Sequence, residues 1–190
     1  MSTRNMGLMS FKLCATLLVA AGLLYPFADP DARSGVLASV WQTGWLSVSA
    51  VVLAFLAAVG LYCRSLQRCL EQVGPAARAA RPASVWLMFL LPYNFVEDFF
   101  IVGNVSRSIR AEAATNARLA GVTGFGFVSG FGWCAAQIVS LLPNAVGELA
   151  GGVALLCWVA HWRLVAKVNR LLSAPGEGVA VADTARSPQP

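Results

Sequence analysis

The sequence predicts an all-α membrane protein, a bundle of four transmembrane helices with an amphipathic or re-entrant helix on the cytoplasmic side between spans two and three. Hydrophobic residues make up 57% of the 190 residues and charged residues only 12%, against about 25% charged in soluble domains. Uncharged apolar stretches recur at about the 20-residue length that a bilayer requires. Basic residues gather beside these stretches, as they do in cytoplasmic loops.

The first predicted span covers residues 11–28, with Lys12 reaching back toward the headgroups. Arg4 and Lys12 before an apolar run are also typical of a signal peptide. Pro26-Phe27-Ala28 would place a bulky ring beside the cleavage site, which favours an uncleaved span.

The second predicted span covers residues 41–62 and carries no charge. Trp41 and Trp45 stand at one end and Tyr62 at the other, a pattern typical of aromatic side chains at the membrane interface. A basic loop with a Gly74-Pro75 turn signal follows.

The last two predicted spans cover residues 119–142 and 149–169, joined by a turn at Pro143-Asn144. Residues 1–172 then form one membrane domain. Residues 173–190 are rich in Pro, Gly and Ala, cannot bury an apolar face and are predicted to be disordered.

Residues 85–113 decide the number of spans, because they are apolar but carry Pro92 and two acids. If they cross the membrane, six basic residues lie on one side and eight on the other. If they do not, thirteen lie on one side and only Arg33 lies opposite. The positive-inside rule favours the second arrangement, with four spans and both termini in the cytoplasm.

Polar residues of this segment share one helical face. They are Asn94, Glu97, Asp98, Asn104, Ser108 and Glu112. We expect a helix lying on the cytoplasmic surface with its apolar face in the membrane. The alternative is a re-entrant element, in which Trp86–Leu91 enter the membrane and Pro92-Tyr93-Asn94 form the break. Such backbone occurs only where protein or a water-filled cavity surrounds it.

Glu97 and Asp98 are the candidate ion or proton sites, since acids at membrane depth are usually functional. If their helix lies at the surface, both are instead solvated and paired with Arg107 or Arg110. Adjacent carboxylates point about 100° apart on a helix, which makes a shared-proton pair a poor fit.

Small residues predict close helix packing in the last two spans. Gly126 and Gly130 have GxxxG spacing, and Gly147 and Gly151 repeat it. A basic stripe on the final helix predicts contacts with anionic headgroups. It consists of Arg163, Lys167 and Arg170.

The sequence offers no recognisable catalytic, nucleotide-binding or metal motif. His161 is the single histidine and cannot build a histidine-rich metal site alone. We therefore predict no catalytic residue, no metal and no cofactor. The net charge of +5 suits lipid headgroups better than nucleic acid, because the basic residues lie beside apolar runs.

The stretch from Trp86 through Pro92-Tyr93-Asn94 to Arg107 resembles an element of small bacterial four-span membrane proteins of unknown function. These proteins show a Trp, an apolar run and Pro-aromatic-Asn before an amphipathic helix. The resemblance covers about residues 84–172 and implies a fold but no activity. Glu97-Asp98 departs from it, because such proteins more often carry aromatic or neutral residues there.

Three functions fit these features. The first is a non-enzymatic accessory or interaction subunit of a larger bacterial inner-membrane assembly. The second is a small transporter or channel acting as a homo-oligomer, with Glu97 and Asp98 as its ion or proton site. The third is a membrane enzyme acting on lipid. Glycine-faced helices without a soluble domain favour the first.

Overall fold

The computed structural model describes residues 3–28 and 45–174, with side chains described for 6–25 and 46–174. These residues are helical and include no strand. The helices are α1 (Thr3–Ala28), α2 (Trp45–Gln72), a 3₁₀ helix (Pro82–Phe89), α3 (Asn94–Ala113), a 3₁₀ turn (Ala117–Leu119), α4 (Phe127–Val139) and α5 (Ala145–Ser173). The predicted loop after the first span, the side chains of Trp41 and Trp45, and the tail from residue 175 lie outside the described residues.

Among the described residues, three helices are long and apolar enough to cross a membrane. Their apolar segments are Met6–Tyr25, Leu46–Gln72 and Ala145–Ser173. Only 6%, 11% and 22% of the residues in their most apolar windows are buried within the protein, so most of these apolar side chains are left for lipid. The described residues therefore form a helical protein with three candidate membrane-spanning helices.

The predicted span over residues 119–142 is an α-helix only over Phe127–Val139. Gly124, Phe125 and Gly126 have φ values of 75°, 43° and 78°, in the left-handed region that an α-helix of L-residues does not adopt. Helix α4 can begin only after them and has 13 residues, a length of about 20 Å. Helix periodicity and hydropathy gave no sign of this break.

The same segment nevertheless runs along α5 in the opposite direction. Near its start, Arg118 Nη1 donates a hydrogen bond to Leu172 O at 3.4 Å. Near its end, a Cβ built on Gly151 lies 3.8 Å from Ser140 Cβ. At about 1.5 Å of rise per helical residue, Gly151 and Leu172 are about 31 Å apart. The segment thus extends over about one bilayer thickness.

A helical hairpin fills the space between α2 and α4. Its first arm, the 3₁₀ helix, runs back along α2, where Trp86 Nε1 donates to Gln67 Oε1 at 2.7 Å. Farther along this arm, the Phe89 ring lies 3.7 Å from a Cβ built on Gly60. Gly60 precedes the end of α2 at Gln72 by about 18 Å of helix. The hairpin tip therefore lies well away from that end.

The second arm of the hairpin, α3, runs parallel to α2, so that its later residues lie near the carboxyl end of α2. Ala79 N donates to Ser108 Oγ and Gly74 N donates to Glu112 Oε2, both at 2.9 Å. Half of the 20 residues in α3 are buried. A helix lying on the membrane surface would bury one face in lipid and contact few other helices. Burial of half of α3 against other helices is not what a lone surface helix would show, and the re-entrant alternative stays a prediction.

The packed core lies where the second half of α2 meets the later parts of α3 and α5. Tyr62, Leu66, Ile109 and Val165 are all fully buried there. Asn144 caps the start of α5, accepting hydrogen bonds from the backbone of Val146 and Gly147, which satisfies donors that a helix start otherwise leaves free. The helix that begins at this cap, α5, packs against both α2 and α4.

Candidate functional site

Glu97 and Asp98 are neighbours on α3 but lie in different environments. Their side chains diverge by about 100° around the helix axis. Glu97 faces α1, where its Oε2 lies 2.5 Å from Lys12 Nζ. Asp98 faces the interior and is 1% exposed. Neither acid pairs with Arg107 or Arg110, so the expected surface position is wrong for Asp98.

Lys12 joins α1 to the hairpin. Besides the Glu97 carboxylate, Nζ donates to Tyr93 Oη at 3.3 Å and lies 4.1 Å from the centre of the Phe100 ring. The Lys12 and Glu97 side chains are only 17% and 12% exposed. Theirs is the one ion pair among the residues that the structure describes, and it compensates the Glu97 charge.

Asp98 lies in the wall of a cavity of about 280 Å³. Helices α2, α3, α4, α5 and the 3₁₀ helix all contribute to this wall. The Gln137 side chain donates a hydrogen bond to the carboxylate. Asp98 Oδ1 has no hydrogen-bond partner among the described residues, and neither does the buried Asn94 Oδ1 nearby.

Burial raises the pKa of Asp98 to about 8, because removal from water penalises the charged carboxylate. The hydrogen bond from Gln137 acts in the opposite direction, and the charge of Glu97 adds to the rise. The acid is therefore largely protonated near neutral pH. A buried acid in a cleft with a strongly shifted pKa is a functional candidate on physical grounds.

Other ionisable groups lie near this acid on α2 and α4. Tyr62 and Cys63 on α2 and Cys134 on α4 lie close enough to interact electrostatically with it. Helix α5 contributes His161, which contacts Tyr62. None of these groups is a cation poised to neutralise Asp98, in contrast to Lys12 beside Glu97.

Tyr62 and His161 form a buried pair that sequence reasoning missed. Tyr62 Oη lies 2.8 Å from His161 Nδ1, and both side chains are fully buried. The Tyr62 ring meets Trp133 and Trp158 edge-on, with ring centres 5.6 and 5.7 Å away. The expectation that Tyr62 anchors at the membrane interface is therefore wrong, because His161 satisfies its hydroxyl inside the bundle.

Two glycines allow His161 to approach α4. A Cβ built on Gly126 would lie 3.0 Å from the His161 ring, and one on Gly130 would lie 2.9 Å from it while overlapping Val102 Cγ1. Gly126 precedes the first residue of α4 and has a left-handed conformation, and the predicted packing role of this GxxxG pair stays a prediction.

The second glycine pair lies at the start of α5. A Cβ on Gly147 would overlap the carbonyl oxygen of Leu142. Gly151 faces Ser140 at an ordinary contact distance. Both contacts are within the chain and belong to the turn that joins α4 to α5.

The basic stripe of α5 lies outside this site. Arg163, Lys167 and Arg170 are exposed. They lie apart from the Asp98 cavity, so the structure does not bring these predicted headgroup contacts together with the acids. Within residues 3–28 and 45–174, no group of three His, Cys, Asp or Glu side chains is arranged to hold a metal ion.

Comparison with known proteins gives no relative: no family model matches the chain, and no curated protein or solved structure is detectably similar to it.

Proposed function

We propose that this chain is a small multi-pass membrane transporter that exchanges a cation for a proton at Asp98. The observation that carries the proposal is the Asp98 carboxyl itself, which is buried, has an unpartnered oxygen and borders a cavity shared by five helices. Burying an acid without a cationic partner costs stability. A role in binding gives such an acid a reason to be there.

The four-span topology is part of this proposal. Helix α1 contacts the hairpin at Lys12. Farther along α1, a Cβ built on Gly22 lies 3.6 Å from Leu141, which follows the end of α4. Helices α1 and α4 thus run in one direction. Helices α2 and α5 run in the other, because Arg68 and Gln72 both donate to Ser173 Oγ. Alternating directions put both termini on one side, and the basic loops favour the cytoplasm of a bacterial inner membrane.

Exchange at Asp98 needs no other acid. With no cation in the cavity, the protonated form predominates near neutral pH. A cation that enters favours the carboxylate, and the proton leaves to water. Glu97 cannot substitute, because Lys12 already compensates its charge. Four short spans rarely enclose a pathway alone, so we propose a homo-oligomer as the transporting unit.

Flux in proteoliposomes tests this function. Vesicles containing the full chain and a trapped pH dye receive an inward gradient of Na⁺, K⁺ or benzyltrimethylammonium, a permanently charged ion that cannot cross as a neutral base. We expect at least one of these cations to make the interior alkaline. Asp98→Asn should abolish the response, whereas the matched variant Glu97→Gln should retain it. If no cation drives proton efflux, the transport proposal is wrong.

The accessory-subunit role is the second candidate, and α1 is the feature that favours it. This helix contacts the rest of the chain mainly through α3, and its apolar side chains, such as Leu13, Leu17 and Leu18, are exposed. These side chains suit a partner helix as well as lipid. Purification in mild detergent tests this role. The role is supported if a second membrane protein accompanies the wild type but not a variant with polar residues on this face of α1.

A further inference from the structure

The ligand class of the Asp98 cavity follows from the residues that line it. Four aromatic rings stand close together on its wall: Phe55, Tyr62, Trp133 and Trp158. Trp158 lies 6.2 Å from Phe55 and 6.3 Å from Trp133, measured between ring centres. Aromatic rings attract cations electrostatically, Trp most strongly, and more so away from water.

The polar atoms of the cavity point to a ligand that donates hydrogen bonds. Asp98 Oδ1 and Asn94 Oδ1 are acceptors, both buried and without partners among the described residues. Trp158 Nε1 is a donor in the same condition. An ammonium group supplies donors to both oxygens, and a hydroxyl or carbonyl on the same molecule would accept from the indole.

The rest of the cavity wall does not suit a bare metal ion. Hard divalent cations take six or more oxygen ligands at short distances, whereas most residues lining this cavity are apolar. The volume of about 280 Å³ holds a molecule of several carbon atoms. The site is thus built for an organic cation with an apolar body.

The cavity also opens toward the lipid-facing surface. Phe55, Leu91 and Leu155 line it and are 55%, 62% and 56% exposed. They lie in α2, at the hairpin tip and in α5, on apolar parts of the surface. An amphiphilic cation that partitions into the bilayer can therefore reach Asp98 between these elements.

We propose that this cavity binds an organic ammonium ion with an aromatic or aliphatic body, its nitrogen at Asp98 and its body among the rings of Trp133 and Trp158. This inference rests on the proposed function and names its substrate class. The charge balances without further partners, since the cation replaces the proton that leaves Asp98.

Calorimetry on the purified full chain in detergent tests the proposal with 2-phenylethylammonium as the probe. Its matched neutral analogue is 2-phenylethanol. We expect the ammonium ion to bind at least tenfold more tightly than the alcohol at pH 7. Titrations in two buffers of different ionisation enthalpy should show release of nearly one proton per ion bound. Equal affinity for the two compounds would overturn the proposal, and this comparison needs only the wild-type chain.

Three variants locate the site. Asp98→Asn should lower affinity at least tenfold and abolish proton release, and Asn94→Leu should lower affinity several-fold. Glu97→Gln, on the other side of α3, should leave affinity nearly unchanged and lower proton release only slightly, because the Glu97 charge adds to the raised pKa of Asp98. Unaltered binding in folded Asp98→Asn and Asn94→Leu proteins would place the ligand elsewhere.

The binding and flux experiments fail separately. If Na⁺ or K⁺ drives Asp98-dependent proton efflux while the ammonium ion does not bind, the transporter proposal stands and this substrate class is wrong. If the ammonium ion binds at Asp98 but no cation moves protons, the site is correct and transport is wrong.

Discussion

The two sides of helix α3 each hold a largely buried carboxyl group, but in different surroundings. On the side facing α1, the Glu97 carboxylate has a lysine partner, and the neighbouring space is loosely filled by phenylalanine rings around a cavity of about 600 Å³. On the side facing α4 and α5, Asp98 has no cation beside it and borders a cavity of about 280 Å³. Farther along this side, Val102 packs so closely against Gly130 of α4 that a methyl group has no room there. One acid is compensated by a cation, and the other has none, on the side where the helices pack tightly at Gly130.

Under the proposed function, this difference separates a charge that holds the fold together from one that binds a ligand. A buried ion pair needs no further ligand, although it adds little net stability once desolvation is counted. A buried acid without a cationic partner stays neutral by holding its proton, and it ionises only when something replaces that proton. Position on one helix thus gives two consecutive acids unrelated roles.

Substitutions on the tightly packed side of α3 should destabilise the fold most. Gly130→Leu would force a branched side chain into Val102 and His161, and overpacking of this kind costs about 3 kcal/mol or occasionally more. We expect little folded protein, measured as the monodisperse fraction in detergent and its melting temperature.

Gly152→Leu is the matched control, because nothing lies within 4 Å of a Cβ at this exposed helical position. It should behave like the wild type. A Gly130→Leu protein that melts at the wild-type temperature would contradict the close packing of α4 against α3 and α5.

Asp98 should make stability depend on pH. Its pKa is raised to about 8 in the folded protein by burial, from an ordinary value near 4. Between these values the unfolded chain has lost this proton and the folded chain still holds it. Stability therefore falls as pH rises from about 4 to about 8, by up to about 1.4 kcal/mol per pH unit. Between pH 6 and 8 the loss is at most about 3 kcal/mol.

Melting temperatures of wild type and Asp98→Asn across this pH range provide the measurement. The variant should melt at a temperature that changes much less with pH. Glu97→Gln should keep the wild-type slope. An equal slope in wild type and Asp98→Asn would mean that Asp98 does not hold a proton in the folded state.

The paired acid should respond to loss of its partner. Lys12→Met leaves Glu97 without a cation in a mostly buried setting, which costs about 1–3 kcal/mol. Adding Glu97→Gln removes the stranded charge, so the double variant should recover much of the loss. Thermal unfolding of the two single variants and the double variant gives the coupling. If the single and double variants are equally destabilised, Lys12 contributes packing rather than charge.

The sequence predicted the class of fold and the residues worth examining, but not how they are placed. Hydropathy located the long helices, since lipid-facing residues must be apolar. It also overstated the helical length before Gly126, because backbone conformation at Gly124 and Phe125 leaves no hydropathy signal. The 100° divergence of Glu97 and Asp98 predicted that their side chains would point apart, and in the structure Glu97 contacts Lys12 while Asp98 contacts Gln137.

Which acid would be buried depended on tertiary contacts that one sequence does not contain. Helical periodicity placed both acids on a polar stripe, and that stripe was expected to face water. In the fold it is divided between Lys12 on α1 and Gln137 on α4. Gln137, a polar residue within an apolar run, was the one available signal for an interior polar site, whereas nothing linked Tyr62 to His161 across 99 residues.

The smallest expected effect compares glycines on the two sides. Gly103 lines the loosely filled cavity between α1, α3 and α4, and a Cβ there would lie 3.6 Å from the Phe131 ring of α4, an ordinary contact. Alanine is favoured over glycine inside a helix by about 0.5–1 kcal/mol, so Gly103→Ala should raise the melting temperature slightly. Gly130→Ala has the same helical advantage, but its methyl group meets Val102 and His161, so this variant should lower the melting temperature. If both alanine variants shift in the same direction, the two sides of α3 do not differ in packing as the structure describes.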